Sequence, residues 1–294
     1  MKRHNLMAFL LGALVLPVAI SCTKPDDGGS GNTDDPETPI TPIDPINPVD
    51  PNTPEDIWGV YNPGKKIKKV YRSSSNQEKY LGEVWNWNGD LLESIDYYSQ
   101  GTIWSKEQYY YDENNRIIRV EELYYPSEVF SVSKFEYEGN FLKTVYVFGL
   151  DGKYSFAYQG DKLKEIVYEG EPKKGRSEQI YLVYHISWSD DNLASLLVKE
   201  MDNDPQNLTI DYLYDAHHNP FYGFFNRMSH FGDISHECSP FNTMLSKNNV
   251  TKADYLETEK HSFESFEYQY DTDGYPIKIV KVGNYESTTY YEYE

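Results

Sequence analysis

Cysteine is almost absent from this chain of 294 residues: there are two, Cys22 and Cys238. Cys22 lies in a processing site described below, which leaves Cys238 single and excludes an intrachain disulfide in the body. Basic charge is also scarce, with 27 Lys and Arg against 47 Asp and Glu, a formal net charge of −20. Phosphate binding needs a basic footprint, so nucleic acid is excluded as a partner. Helical periodicity is nearly missing, being confined to one segment. No Gly-x-Ser-x-Gly elbow, His-Glu-x-x-His pair or phosphate-cradling glycine loop is present. Acidic residues are too numerous for any two to be singled out as a glycosidase pair. No catalytic residue is therefore assigned, no cofactor is expected, and the chain is read as a non-enzyme.

What the chain has in abundance is aromatic side chains, 28 Tyr, 13 Phe and 5 Trp, set in a repeat. Two aromatic or bulky apolar residues flank a single residue, a polar turn follows, and an apolar residue reopens the chain. The copies are Trp85-Asn86-Trp87 to Leu91, Tyr109-Tyr110-Tyr111 to Ile117, Phe135-Glu136-Tyr137 to Leu142, Phe156-Ala157-Tyr158 to Leu163, Ile186-Ser187-Trp188 to Leu193, Tyr212-Leu213-Tyr214 to Phe221, and Tyr268-Gln269-Tyr270 to Ile277. The second aromatics fall at 87, 111, 137, 158, 188, 214 and 270, and Tyr293 continues the series. A fixed period means one supersecondary unit copied many times. Alternation at every second position reads as strand, with one aromatic face and one wet face. Asp and Gly between copies supply the turns. The expectation is an all-β fold: a large antiparallel meander of hairpins, about fourteen to sixteen strands, curled or closed because open sheets that large are uncommon. Outward positions such as Glu264, Glu267 and Gln269 are polar, so the aromatic face is expected inside and a lipid-facing wall is not.

Tyr111-Asp112-Glu113-Asn114-Asn115-Arg116-Ile117 resembles the tyrosine-aspartate repeats of bacterial wall-associated and toxin-shell proteins, with Asn115 where that family prefers Gly. Tyr270-Asp271-Thr272-Asp273-Gly274 to Ile277 is the next nearest copy. Residues 57–294 as a whole resemble Bacteroidetes-type surface lipoproteins of unknown function with a porin-like β fold. That resemblance implies a barrel-like sheet and carries no activity.

The first 21 residues read as a signal peptide: Lys2 and Arg3, then an apolar stretch from Leu6 to Ile20 too short to span a bilayer. Ala19-Ile20-Ser21-Cys22 resembles a lipoprotein cleavage box, which makes Cys22 the lipidated residue and the membrane a partner through its acyl chains. Lys24, Asp26 and Asp27 resemble a surface-export signal, so the expected location is the outer membrane, facing outward. Residues 22–56 form the anchor and tether. Prolines at 36, 39, 42, 45, 48, 51 and 54 keep the three-residue period of polyproline II. The 34 residues from Thr23 to Asp56 reach roughly 100 Å if fully extended. The tether's nine acids against Lys24, and the loss of Lys2 and Arg3, leave the body near −14.

Residues 220–260 break the period and form an insert of helix or long loop. Its apolar side chains suit a plug against the aromatic face, with Phe224, Phe225 and Phe231 as the plug residues. Five of the seven histidines lie nearby: His217 and His218, placed in a turn, and His230, His236 and His261. Together with Cys238 they match no compact metal motif, and no metal is expected. Asp271-Thr272-Asp273-Gly274 lacks the remaining ligands of a calcium loop and is read as a turn. Trp85, Trp87 and Trp104 are the candidate ligand-binding aromatics. The expected role is a non-catalytic surface binding module for a glycan or other extracellular ligand. A structural or protein-interaction scaffold is the rival, and an extracellular polymer hydrolase the third reading.

Overall fold

The aromatic alternation folds as sixteen strands. The computed structural model describes residues 58–74, 77–125, 128–148, 152–170, 180–200, 207–224, 244–257, 261–282 and 286–294. Residues 1–57, which include the expected signal peptide, Cys22 and the expected tether, lie outside the described residues. The strands are β1 (Ile67–Ser74), β2 (Gln77–Asn88), β3 (Leu91–Ser99), β4 (Thr102–Tyr111), β5 (Ile117–Tyr124), β6 (Glu128–Glu138), β7 (Phe141–Phe148), β8 (Gly152–Gln159), β9 (Lys162–Gly170), β10 (Ile180–Ser189), β11 (Asn192–Glu200), β12 (Leu208–His218), β13 (Asn248–Leu256), β14 (His261–Tyr270), β15 (Pro276–Val282) and β16 (Ser287–Tyr293). Each pairs antiparallel with its sequence neighbours, and β1 pairs with β16 from Ile67↔Tyr293 to Ser74↔Ser287, closing the barrel.

Side-chain alternation sorts the wall into two chemistries. The inner face carries Trp85, Ile95, Tyr109, Val120, Phe135, Val145, Tyr154, Phe156, Ile166, Tyr184, Leu196 and Ile210, all buried. The outer face carries exposed Lys134, Glu136, Lys143, Lys164, Asp211 and Glu267 at strand positions. A bilayer-spanning barrel has the reverse pattern, and a lysine or arginine on a lipid-facing midplane costs about 2–4 kcal/mol. Sixteen-stranded closure ordinarily leaves an aqueous channel; here inward rings such as Trp85, Tyr109, Tyr154 and Phe156 belong to one buried core cluster.

The two ends differ. Each even strand turns into the next odd strand at one end, called here the turn end. Odd strands turn into even ones at the other end, the mouth. At the turn end every odd–even ladder stops short: the last pairs include Lys69↔Val84, Ser94↔Gln108, Arg119↔Lys134 and Lys278↔Tyr290. The carbonyl of the first inward residue of each odd strand is thereby left without a ladder partner. Burying it unpaired would cost about 1–3 kcal/mol. The repeat's second aromatic closes the gap. Trp87 Nε1 donates to Ile67 O (2.8 Å), and the Tyr111 hydroxyl donates to Leu92 O (2.6 Å). Tyr137 donates to Ile117 O (2.6 Å), Tyr158 to Leu142 O (2.9 Å), Trp188 Nε1 to Leu163 O (2.6 Å) and Tyr214 to Leu193 O (2.6 Å). Tyr268 donates to Val250 O (2.7 Å) and Tyr293 to Pro276 O (2.8 Å). Eight bonds of one kind thus staple the eight odd–even pairs.

The residue before the acceptor covers the stapling ring in five of these. Lys66 lies over Trp87, Arg116 over Tyr137 and Lys162 over Trp188, while Phe141 packs on Tyr158 and Tyr275 on Tyr293. Each cation above a ring is attracted by its electron-rich face. Three details of the sequence repeat change. The reopening residue in the first copy is Leu92, not Leu91, because Leu92 is the inward one at 1% exposure. In the seventh copy the staple is Tyr268, while Tyr270 donates instead to Asp215 Oδ2. In the sixth copy Tyr214 is not followed by a tight turn to Phe221, since β12 runs on to His218.

The tyrosine-aspartate copies also have a physical reason. Asp112 Oδ1 accepts from the N–H of Asn114 and Arg116 (both 2.9 Å), and Asp271 Oδ1 accepts from Asp273 (3.0 Å) and Tyr275 (2.9 Å). The carboxylate therefore organises a five-residue loop. Its second oxygen meets Arg116 Nε at 2.7 Å in one loop, and Lys65 Nζ at 2.5 Å in the other. Asn115 sits at φ 61° where the second loop has Gly274 at φ 84°. This is the left-handed position at which glycine is favoured and Asn best tolerated among the rest.

Tyr137→Phe keeps the ring and removes one staple. Loss of about 1 kcal/mol should lower the melting temperature by about 2–4 °C, measured by calorimetry with the fold unchanged by circular dichroism. Burial, the leading cause at each, holds the phenols of Tyr111, Tyr137, Tyr158, Tyr214 and Tyr293 well above the ordinary tyrosine pKa. Above about pH 10 the unfolded chain releases protons that the folded chain retains, so stability falls as pH rises. Ultraviolet titration should show a block of tyrosines that ionise only together with cooperative alkaline unfolding.

Candidate functional site

The turn end is closed by the chain itself. The segment before β1 enters there: Ile117 N donates to Gly59 O (2.9 Å), Trp58 N donates to Asn140 O (3.2 Å), and Trp58 packs edge-on against Tyr158. A side chain at Gly59 would collide with the Tyr137 phenol. Tyr61 is buried and donates to Pro220 O at 2.7 Å, tying this segment to the connection between β12 and β13. From that connection Phe224, 2% exposed, packs on Tyr61, Trp85 and Tyr109, and Met244 and Leu245 join the same core. Ser246 Oγ accepts from Leu193 N and donates to the Tyr214 hydroxyl, joining the insert to one staple.

The expected insert is therefore shorter than 220–260, because Asn248–Leu256 is wall strand β13. Its only helical residues among those described are Met244 and Leu245. Phe225 and Phe231, with His230, His236 and Cys238, lie outside the described residues. His217 and His218 are not in a turn: they end β12, stacked flat on Tyr270 (3.9 Å) and Tyr275 (5.0 Å). In the turn from Asp271 to Gly274, Lys65 Nζ bridges the carboxylates of Asp271 and Asp273. Among the described residues no group of three or more His, Cys, Asp or Glu is placed to hold a metal.

At the mouth the wall is modified by β-bulges. The pairing shifts by one residue between Tyr97↔Ser105 and Tyr98↔Ile103, which frees Trp104 from the alternation. The next odd–even pair shifts identically, between Glu122↔Ser131 and Leu123↔Val129, freeing Phe130. A bulge re-aims the side chain of its extra residue. Trp104 lies 5.5 Å from Tyr124 with the rings nearly parallel, and 6.4 Å from Tyr97, while Phe130 lies 4.7 Å from Tyr124 on its other contact. The result is a three-ring clamp, Trp104–Tyr124–Phe130, whose outer members are 47% and 42% exposed. In the β1–β2 pair a bulge lies two residues nearer the turn end, and its extra residue is Gly82, where a side chain would meet the Arg72 guanidinium.

Polar groups stand directly behind the clamp. Glu122 lies on the inner face two residues before Tyr124 and accepts from Ser131 Oγ at 3.1 Å. Burial first, and then the Glu122 carboxylate beside it, raise the Tyr124 phenol above its usual pKa. Ser105 and Glu107 continue this inner surface on β4, with Glu107 accepting from the Tyr109 hydroxyl. Glu83 accepts from Trp85 Nε1 (2.8 Å) and pairs with Arg72.

The three candidate tryptophans therefore part company. Trp85 is 4% exposed, its ring taken up by Trp87, Phe221 and Phe224. Trp87 is a staple of the turn end. Trp104 alone reaches solvent at the mouth. Tyr124 and Phe130 were not picked out from the sequence. The available signal was their frame: Trp104 and Phe130 each stand seven residues before a staple, Tyr111 and Tyr137.

No family model matches the sequence, and no curated protein matches it. Among solved structures, the crystal structure of a porin-like protein from Bacteroides uniformis is similar over 81% of this chain and 100% of that chain, with 12% identity and a TM-score of 0.48. A porin-like protein from Bacteroides vulgatus is similar over 78% of this chain and 99% of that one, with 9% identity and a TM-score of 0.34. The crystal structure of TcdB2-TccC3-TEV is similar over 74% of this chain and 12% of that chain, at 9% identity and a TM-score of 0.34.

Phe224→Ala removes the ring at the centre of the turn-end packing. A cost of about 3–5 kcal/mol is expected for a buried phenylalanine, read as a large drop in denaturation midpoint with β-sheet content retained in dilute buffer.

Proposed function

We propose that this protein is a non-catalytic, lipid-anchored binding barrel of the outer membrane that holds an extracellular ligand, most simply a glycan, at its mouth. The observation that carries the reading is the asymmetry of the two ends. One end is stapled and filled by Trp58, Tyr61, Phe221, Phe224, Met244 and Leu245. The other carries three aromatic rings, Trp104 and Phe130 partly exposed on either side of Tyr124, over buried carboxylate and hydroxyl groups. The filled end argues for capture and against conduction. The segment leading into β1, from Trp58 to Tyr61, joins the barrel at the filled end. The charged outer wall fits a body held in water by acyl chains and not embedded by its strands.

The scaffold reading keeps one specific support, since Phe148 and Phe263 are also exposed, at 48% and 55%. The two readings separate in a cell-binding experiment. Cells displaying the full chain should retain fluorescent oligosaccharides, and Cys22→Ala cells should lose them as the protein leaves the membrane fraction. Trp104→Ala cells should lose retention with surface protein unchanged. Retention that persists in Trp104→Ala would remove the mouth from the account.

A further inference from the structure

The clamp's geometry and the charge of the body together specify a ligand class. Resting on the reading of the mouth as a binding end, we infer that the Trp104–Tyr124–Phe130 clamp takes a neutral saccharide and rejects acidic ones, with Glu122 as the positioning residue that fixes the central ring. Several observations converge on this. A pyranose has an apolar face of C–H bonds and a rim of hydroxyls, and aromatic faces accept the former. Trp104 and Phe130 offer ring surface at 47% and 42% exposure. They are set by two identical β-bulges in consecutive hairpins, and not by the ordinary alternation of the strands. Bulges recur beside functional sites because they aim a side chain that regular pairing would point elsewhere.

The polar groups beneath the clamp, Glu122, Ser131, Ser105 and Glu107, are buried, and the two carboxylates are held by Ser131 and Tyr109. They act on a ligand through their field and not by contact: a uronate or sulfate meets like charge, whereas a neutral pyranose does not. The field of the whole chain acts in the same direction. A net charge of −20 lowers the local concentration of polyanions before contact, an effect that salt screens.

Glu122 acts through Tyr124. Its carboxylate lies beside the phenol and is itself held by Ser131 Oγ at 3.1 Å. With Tyr124 fixed, Trp104 and Phe130 each have a ring to pack on, so the clamp is formed before ligand arrives.

The test is titration calorimetry on the purified body, residues 57–294 joined to the tether without lipid. The neutral probes are unsubstituted gluco- and manno-oligosaccharides. The acidic probes are oligogalacturonate and a sulfated glycosaminoglycan. At least one neutral probe should bind, and both acidic probes should fail at low and at physiological salt. Trp104→Ala and Phe130→Ala should each weaken neutral binding at least tenfold with the melting temperature unchanged. Glu122→Ala should weaken it, and Glu122→Gln, which retains an acceptor, should restore most of it. Tighter binding of an acidic probe, or neutral binding indifferent to Trp104→Ala and Phe130→Ala, overturns the inference. If no saccharide binds but a peptide or other surface ligand does so in a Trp104-dependent manner, the saccharide assignment falls and the binding-end reading stands. If substitutions at the mouth alter the capture of no ligand, both fall.

Discussion

A buried carbonyl must find a donor, and the turn end of this barrel is organised around that demand. Eight odd–even ladders end before their strands do, and eight aromatic side chains supply the missing donor from the neighbouring strand. Only Tyr and Trp can fill the role, because each combines a large apolar body with a single polar tip. The body completes the inner packing over Ile67, Leu92, Ile117, Leu142, Leu163 and Leu193, each no more than 1% exposed. The tip reaches the carbonyl. Covering residues such as Arg116 and Lys162 then close the ring from outside, and the asparates of the longer loops hold their backbone in place. The repeat is thus one physical device used eight times.

Closure by staples leaves the rest of the barrel free to differ at its two ends. The turn end is invariant in construction and accepts a plug made from the segment before β1 and the connection between β12 and β13. Among the described residues the mouth carries no such staple, and its hairpins carry bulges at which residue identity varies: the extra residue is Gly82 in the β1–β2 pair, Trp104 in β3–β4 and Phe130 in β5–β6. Stability is concentrated at one end and chemical individuality at the other. Function on a rigid scaffold with variable ends follows the same division seen wherever loops carry specificity.

Much of the fold was legible in advance. The alternation of Phe135, Glu136 and Tyr137 dictates a strand with an aromatic face. Repeated turns dictate a meander, and its size dictates curvature or closure. The acidic and basic residues between the aromatics predict polar outward positions, and Lys134, Glu136 and Glu267 are exposed there. Less legible was which aromatic acts. Tyr268 and Tyr270 stand two apart on one face and cannot be ranked by pattern, but only Tyr268 lies opposite Val250. Leu91 and Leu92 are chemically identical, and only the turn geometry decides which one points inward. His217 and His218 looked like turn residues because Pro220 follows closely, yet pairing with β13 carries the strand through them. The candidate site was legible in Trp104 alone. Trp85 has the same composition and a similar setting, but its position in the regular alternation sends it into the core.

The sequence by itself determined the class of fold, the acidic exterior, the aromatic interior and the repeating unit, because these depend on local alternation and composition. Closure between β1 and β16, the staples' acceptors, the filling of one end and the clamp at the other were decided only by tertiary structure. The reason is that each depends on the register between strands. A one-residue shift in pairing, as at Trp104 and Phe130, moves a side chain from the outer wall to the mouth without any change in the residues themselves.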